Sequence, residues 1–188
     1  PTGMGKSVLL ATLAMQFRRY RGSRILAFDM GRSIRATVLG LGGEHYDLGM
    51  DGEIAFQPLA RIDREGYGTW AAEWIEGRLR HEGVTVGPEE KAAIWSALGS
   101  LAGAPLEQRT MTGLSVLLQS NALRQALQPY VLGGAHGKLL DADHDRLGCA
   151  DVQAFEMEEL MHSKAAALAV LRYLFARFEE RLDGAPTL

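Results

Sequence analysis

The chain has 188 residues, 20 of them Lys or Arg and 23 Asp or Glu, so its formal net charge of -3 excludes a general electrostatic attraction for nucleic acid. A hydrophobic content of 47% suffices for one substantial core, yet the longest uncharged apolar stretch, Ser7 to Phe17, falls short of the roughly 20 residues that cross a bilayer. Cys149 is the only cysteine, which excludes an internal disulfide and suits a reducing compartment such as the cytoplasm.

The first seven residues, Pro1-Thr2-Gly3-Met4-Gly5-Lys6-Ser7, fit the phosphate-binding pattern G-x-x-x-x-G-K-[ST], with its first Gly expected just before Pro1. A triphosphate crowds negative oxygens together, and consecutive backbone N–H groups in a tight loop satisfy them where bulky side chains do not intervene. Gly3 and Gly5 supply that freedom, Lys6 brings a point charge to the β and γ oxygens, and the Ser7 hydroxyl is a hard ligand suited to Mg²⁺. Val8, Leu9, Leu10, Leu13, Ala14 and Phe17 recur at helical spacing, which places a helix N-terminus behind the loop. Residues 1–8 are therefore the expected nucleotide contacts: Pro1, Thr2, Gly3, Met4, Gly5, Lys6, Ser7 and Val8.

This helix ends in Arg18-Arg19-Tyr20-Arg21-Gly22, cations that either complement the helix dipole or contact a partner or DNA. Arg24 to Phe28 reads as a buried strand, and helix followed by strand points to a parallel α/β sheet. Asp29 stands where that strand ends, which suits either the nucleotide site or a cap on the next helix. Ser33 is a second capping candidate, ahead of Ile34, Val38 and Leu41 on a short helix that runs to Gly42. Glu44 to Leu48 and Glu53 to Phe56 flank Gly49-Met50-Asp51-Gly52 in the manner of a hairpin.

Pro58 and Pro88 bracket a helix with Trp70, Trp74 and Ile75 on one face, and Pro88 opens another carrying Ile94, Ala97, Leu98 and Leu101. One more helical stretch holds Leu114, Leu117, Leu118, Leu123 and Leu127 and stops near Pro129; residues 133 to 151 read as loop. His136, His144, Cys149 and His162 match no zinc spacing. Val152 to Glu156 reads as a strand, with Glu158 and Glu159 in the first turn of a long helix. Its expected buried stripe is Leu168, Leu171, Leu174, Phe175, Phe178 and Leu182, and it ends at Asp183-Gly184 before an apolar start at Pro186-Thr187-Leu188.

A phosphate-loop ATPase also needs an acidic strand whose Asp serves Mg²⁺ and whose Glu polarises the attacking water. No apolar strand of this sequence ends in Asp-Glu. The expectation is an incomplete α/β domain that lacks the strand before the loop and the acidic (Walker B) strand, the latter opening at Pro186 to Leu188. As an isolated polypeptide it is expected to fold poorly and to hydrolyse no ATP. Residues 1–60 form the loop, helix and first strands, 61–150 a mostly helical insertion, and 151–188 a strand and long helix.

The opening motif, Ala27-Phe28-Asp29-Met30-Gly31, Gly42 to Gly49 and Ala55 to Leu59 resemble the TrbE and CagE type of conjugal-transfer ATPase, a VirB-type family. So do Trp70 to Trp74, Arg109 to Thr112, Leu127 to Tyr130, Gly133 to Gly137, Phe155 to Met157 and Arg172 to Phe175, in order and across essentially the whole chain. Gln57 and Met30 depart from the family pattern, where Asn and Lys are expected. The resemblance implies a RecA-like P-loop NTPase of the HerA and FtsK clan, a mostly parallel sheet with a helical insertion. It further implies an ATP- and Mg²⁺-dependent oligomeric motor, a ring, at the cytoplasmic face of the bacterial inner membrane with other type IV secretion subunits. In that setting Lys6 is the catalytic residue and Ser7 the Mg²⁺ ligand, while Arg109 is either an ion-pair former or an arginine that reaches the γ-phosphate of a neighbour. A DNA-translocating motor or coupling protein of the same clan, and a non-catalytic nucleotide-binding scaffold, are the alternatives.

Overall fold

The computed structural model describes residues 5–49 and 54–188, and the chain divides into two units. Unit 1 comprises Pro1–Ile54, Gly148–Ser163 and Leu174–Leu188; unit 2 comprises Ala55–Leu147 and Lys164–Tyr173.

Unit 1 is built on three parallel strands. Helix α1 (Lys6–Phe17) is followed by β1 (Ile25–Asp29), α2 (Arg35–Gly40), β2 (Glu44–Asp47) and, much later, β3 (Val152–Glu156). The order across the sheet is β1–β3–β2, with Asp29 and Asp47 both in register with Glu156. Every residue of β3 is buried, as a central parallel strand requires, since it is covered on both faces. The two-residue alternation sorts the side chains. Ile25, Val152 and Ala154 face Ala14 of α1 and Val38 of α2, with Ile34 alongside. Phe28, Phe155 and Tyr46 face the other way, where Phe28 stacks 5.6 Å from Phe155 and Phe178 lies 5.5 Å from Phe155. Gly43 enters β2 against β3 so closely that a side chain would collide with the Val152 backbone.

Thr187 forms a parallel bridge with Arg24 on the free side of β1, and the Leu26 N–H donates to the Leu188 carbonyl at 2.9 Å. The apolar segment Pro186 to Leu188 thus meets the edge of β1 through an isolated bridge and is not itself a strand. Between its face on the sheet and solvent, α1 buries Ala14 alone, and Val8, Leu9, Leu10 and Leu13 are exposed.

Unit 2 holds helices α3 (Tyr67–His81), α4 (Pro88–Ala102), α5 (Met111–Leu117), α6 (Asn121–Leu127) and α7 (Gly137–Leu140), with the first ten residues of α8 (Lys164–Glu179). Pro88 starts α4, and the Glu90 carboxylate accepts the Gly87 N–H at 2.8 Å to cap it. Trp74 is fully buried, its Nε1 donating to the Ala169 carbonyl at 3.0 Å and its ring covered by the Arg78 guanidinium at 5.5 Å. Among the described residues no helix is long and apolar enough to cross a membrane.

Several expectations are corrected. The hairpin does not form: β2 pairs in parallel with β3, residues 54–57 are not strand, and Phe56 donates instead to the Leu139 carbonyl at 2.8 Å. Of the expected turn Gly49-Met50-Asp51-Gly52, residues 50–52 lie outside the described residues. The helix expected across Leu114 to Leu127 is broken at Leu118, where the backbone turns extended, and restarts under a Ser120 cap that accepts the Leu123 N–H. Within the expected loop of 133–151 sits the short helix α7. Glu158 and Glu159 precede a separate 3-10 turn, Leu160–His162, and α8 begins only at Lys164. Its buried face is also rotated from the expected stripe: Ala166, Ala169, Val170, Tyr173, Leu174 and Phe178 are buried, whereas Leu168, Phe175 and Leu182 are exposed. Small side chains let a helix approach its neighbours closely, so size alone misplaced the face.

Candidate functional site

Gly5 takes a left-handed conformation (φ 72) at the N-cap of α1, a geometry that favours glycine, and its carbonyl accepts the Leu9 N–H at 2.9 Å. No side chain caps this helix and no acidic residue stands in its first turn. The first N–H groups of a helix have no partner within it, and the first turn here holds no carboxylate of its own. Lys6, Ser7 and Val8 are all exposed at this end. This helix end thus carries one ammonium and one hydroxyl beside unbonded N–H groups, a type of site that can receive an anion. Pro1, Thr2, Gly3 and Met4, which the motif also assigns to phosphate, lie outside the described residues.

Ser7 makes no hydrogen bond with any described residue. Its oxygen is therefore available, and a hydroxyl is a donor type that Mg²⁺ accepts, so the residues present fit the metal that the motif implies. Ser7 also lines a cavity of about 220 Å³ together with Leu10 and Leu13 of α1, Ile25 to Asp29 of β1, Ser33 and Leu188. Apart from Ser7, Asp29 and Ser33 at its polar margin, the named walls are apolar and suit side-chain packing better than a phosphate.

Asp29 belongs to this margin, yet its oxygens are occupied. Oδ1 accepts the Met30 N–H at 2.9 Å and the Ser33 hydroxyl at 2.6 Å, and Oδ2 accepts the Ile34 N–H at 2.8 Å. No side chain caps α2, whose N-cap is Ile34, so neither Asp29 nor Ser33 takes the expected capping role; Asp29 instead ties together the loop that leads into the helix, and Ser33 donates to it. Asp29→Ala should destabilise unit 1 by about 1–2 kcal/mol in urea unfolding, because two backbone N–H groups lose their acceptor, while Asp29→Asn should lose less. Unfolding midpoints identical to wild type in both variants would contradict this structural role.

The carboxyl edge of the sheet holds a device that the sequence did not advertise. The Glu156 side chain, in a residue 2% exposed, accepts the Gly31 N–H at 3.0 Å, the Arg32 N–H and the Glu158 N–H at 3.0 Å. Arg32 is the only non-glycine residue with positive φ (55) among those described, and its guanidinium pairs with Asp47 at 2.6 Å. Partial burial alone would raise the Asp47 carboxyl, but hydrogen bonds from Arg32 and the Gly49 N–H outweigh it and hold the group below the usual carboxylate range. Three carboxylates in register across neighbouring strands are thus separated by backbone donors and one guanidinium. A Gly before a polar residue after the strand, as in Gly31-Arg32, was the available signal.

Arg109 is 13% exposed and committed to structure: Nη1 lies 2.8 Å from Asp63 and donates to the Ala60 carbonyl, and Nε donates to the Ala104 carbonyl at 3.0 Å. It forms the ion pair rather than offering a free arginine to a neighbour. At the end of α1, Arg18 bonds Ser23 and stands 3.9 Å from Asp151, while Arg24 holds Asp183 through two hydrogen bonds of 2.8 and 2.7 Å.

No protein-family model matches the chain. It is 41% identical over its whole length to a probable conjugal transfer protein TrbE of Sinorhizobium fredii and, again at 41% over the whole chain, to the conjugal transfer protein TrbE of Rhizobium radiobacter. It spans only 29% and 24% of those relatives' lengths. Among solved structures, VirB4 of Thermoanaerobacter pseudethanolicus superposes with a TM-score of 0.67 at 19% identity, covering 96% of this chain and 55% of that one. That likeness shows the fold, an α/β arrangement with a parallel sheet. With 41% identity to two TrbE proteins along the whole of its own length, the chain belongs to the TrbE/VirB4 family of conjugal transfer and type IV secretion proteins.

Proposed function

We propose that this chain is the nucleotide-binding portion of an ATP-hydrolysing motor that energises conjugal transfer or type IV secretion. The observation that carries the reading is the uncapped, exposed N-terminus of α1, opened by left-handed Gly5 and bearing Lys6 and Ser7. Lys6 and the first N–H groups of α1, those of Lys6, Ser7 and Val8, bind the phosphates of ATP, with the backbone of Pro1 to Gly5 completing the loop. The Ser7 hydroxyl holds Mg²⁺, which supplies charge neutralisation between the phosphate oxygens when bound. Lys6 stabilises the charge that develops on the transferred phosphoryl group.

In this reading Asp29 serves first the backbone and Ser33, which take three of its lone-pair sites. The motor works as an oligomer at the cytoplasmic face of the inner membrane, joined to other secretion subunits. Conjugation frequency tests this: donor cells whose full-length protein carries Lys6→Ala should transfer at background level. Transfer at the wild-type frequency would refute the motor.

A further inference from the structure

Unit 2 carries a second concavity, about 420 Å³, remote in sequence from the phosphate loop and lined by Glu73, Glu76 and Arg80 of α3, Lys91 and Trp95 of α4 and Arg172 of α8. Its charges are unequally satisfied. The Glu76 side chain, 10% exposed, pairs with Arg80 at 2.6 Å and Lys91 at 3.7 Å, so one buried carboxylate answers two cations. Arg172 makes no hydrogen bond or ion pair with any described residue. It lies across Gly77, where a Cβ would stand 3.3 Å from its Nη1, so the bare glycine gives the guanidinium its seat. On the opposing helix Trp95 is 49% exposed, a large apolar area left in water.

An unpaired guanidinium presents a planar fork of donors that matches a carboxylate, and an exposed indole in the same lining, further along α3 towards Gly68, takes an apolar neighbour of that carboxylate. Arg and Trp are also the residue types that carry most binding energy at protein interfaces. A single carboxylate fits the one cation left unpaired, Arg172, since Glu76 already occupies Arg80 and Lys91; a polyphosphate carries several charges that this wall does not match. We propose that this concavity is a docking site for a segment of a partner protein that presents an acidic side chain next to an apolar one, with Arg172 as the carboxylate receptor and Trp95 as the apolar platform.

The test uses the full-length protein and a fluorescein-labelled peptide, acetyl-Leu-Asp-Leu-amide extended by a glycine linker, followed by anisotropy. The wild type should bind the Asp peptide at least tenfold more tightly than its Asn counterpart. Arg172→Gln should bind both peptides alike, at the wild-type affinity for the Asn peptide, because the carboxylate's partner has gone; Trp95→Ala should weaken both equally. This coupling between peptide charge and Arg172 is a readout that a merely structural role would not move, and circular dichroism should show Arg172→Gln folded as the wild type. Equal affinity of the wild type for Asp and Asn peptides, no binding at millimolar protein, or a thymidine hexanucleotide that displaces the labelled peptide as well as unlabelled peptide does would each overturn the proposal.

Discussion

Lys6→Ala in the full-length protein should lower the turnover number for ATP by at least ~100-fold, the scale on which losing one preorganised donor to a developing charge reduces kcat. The argument rests on where the residue sits. Lys6 is the first residue of α1, exposed, directly after a left-handed Gly5, at a helix end that has neither a side-chain cap nor an acidic first turn. Its ammonium is thus the one cation within the first turn, and charge on the β and γ oxygens grows as the phosphoryl bond breaks. An interaction that strengthens in the transition state appears mainly in kcat rather than in KM. Hydrolysis within threefold of wild type would show that Lys6 does not face the phosphates. Because Lys6 is exposed, the substitution should leave the melting temperature unchanged, which separates lost chemistry from lost folding.

The second large effect is on stability. Glu156→Ala should destabilise unit 1 by about 3–5 kcal/mol, the range seen when one partner of a buried polar network is removed. Three backbone N–H groups, those of Gly31, Arg32 and Glu158, lose their acceptor at once, and the left-handed Arg32 loses the contact that holds it. Glu156→Gln should cost less, since an amide oxygen still accepts two of the three while its NH₂ opposes the remaining N–H. Urea unfolding of the two variants checks the order. A Glu156→Ala protein within 1 kcal/mol of wild type would mean that the loop after β1 finds water instead, and that Glu156 is dispensable.

Local chemistry was legible in the sequence wherever it is decided locally. Gly5-Lys6-Ser7 before an apolar run marked the start of α1, Pro88 marked the start of α4, and the apolar runs around Ile25 and Val152 marked two strands. Strand partners were not legible. Gly49-Met50-Asp51-Gly52 has the composition of a hairpin turn, but β2 gains more by lying in parallel against β3, whose residues begin more than a hundred positions later. Pairing across such a distance is set by which faces the whole sheet buries, and no short window contains that information. The face of α8 failed for a related reason: its alanines are buried because close approach matters more there than side-chain size.

At the candidate site the sequence singled out Lys6 and Ser7, and left Asp29 and Arg109 each between two roles. Their partners in the structure are structural: three donors from the loop before α2 on Asp29, and an ion pair with two carbonyl contacts on Arg109. Glu156 and Arg32 went unread, since the value of a carboxylate that ends a strand depends on the loops that happen to surround it.

The most direct test is photo-crosslinking of the full-length protein with an ATP analogue that carries an azido group on its γ-phosphate, in the presence of Mg²⁺, followed by peptide mapping. Saturable labelling of the peptide that contains Gly5 to Val8, suppressed by unlabelled ATP and lost in Lys6→Ala, is the predicted result. Labelling that is saturable but falls outside that peptide, or that persists in Lys6→Ala, would contradict the assignment of the amino end of α1 as the phosphate site.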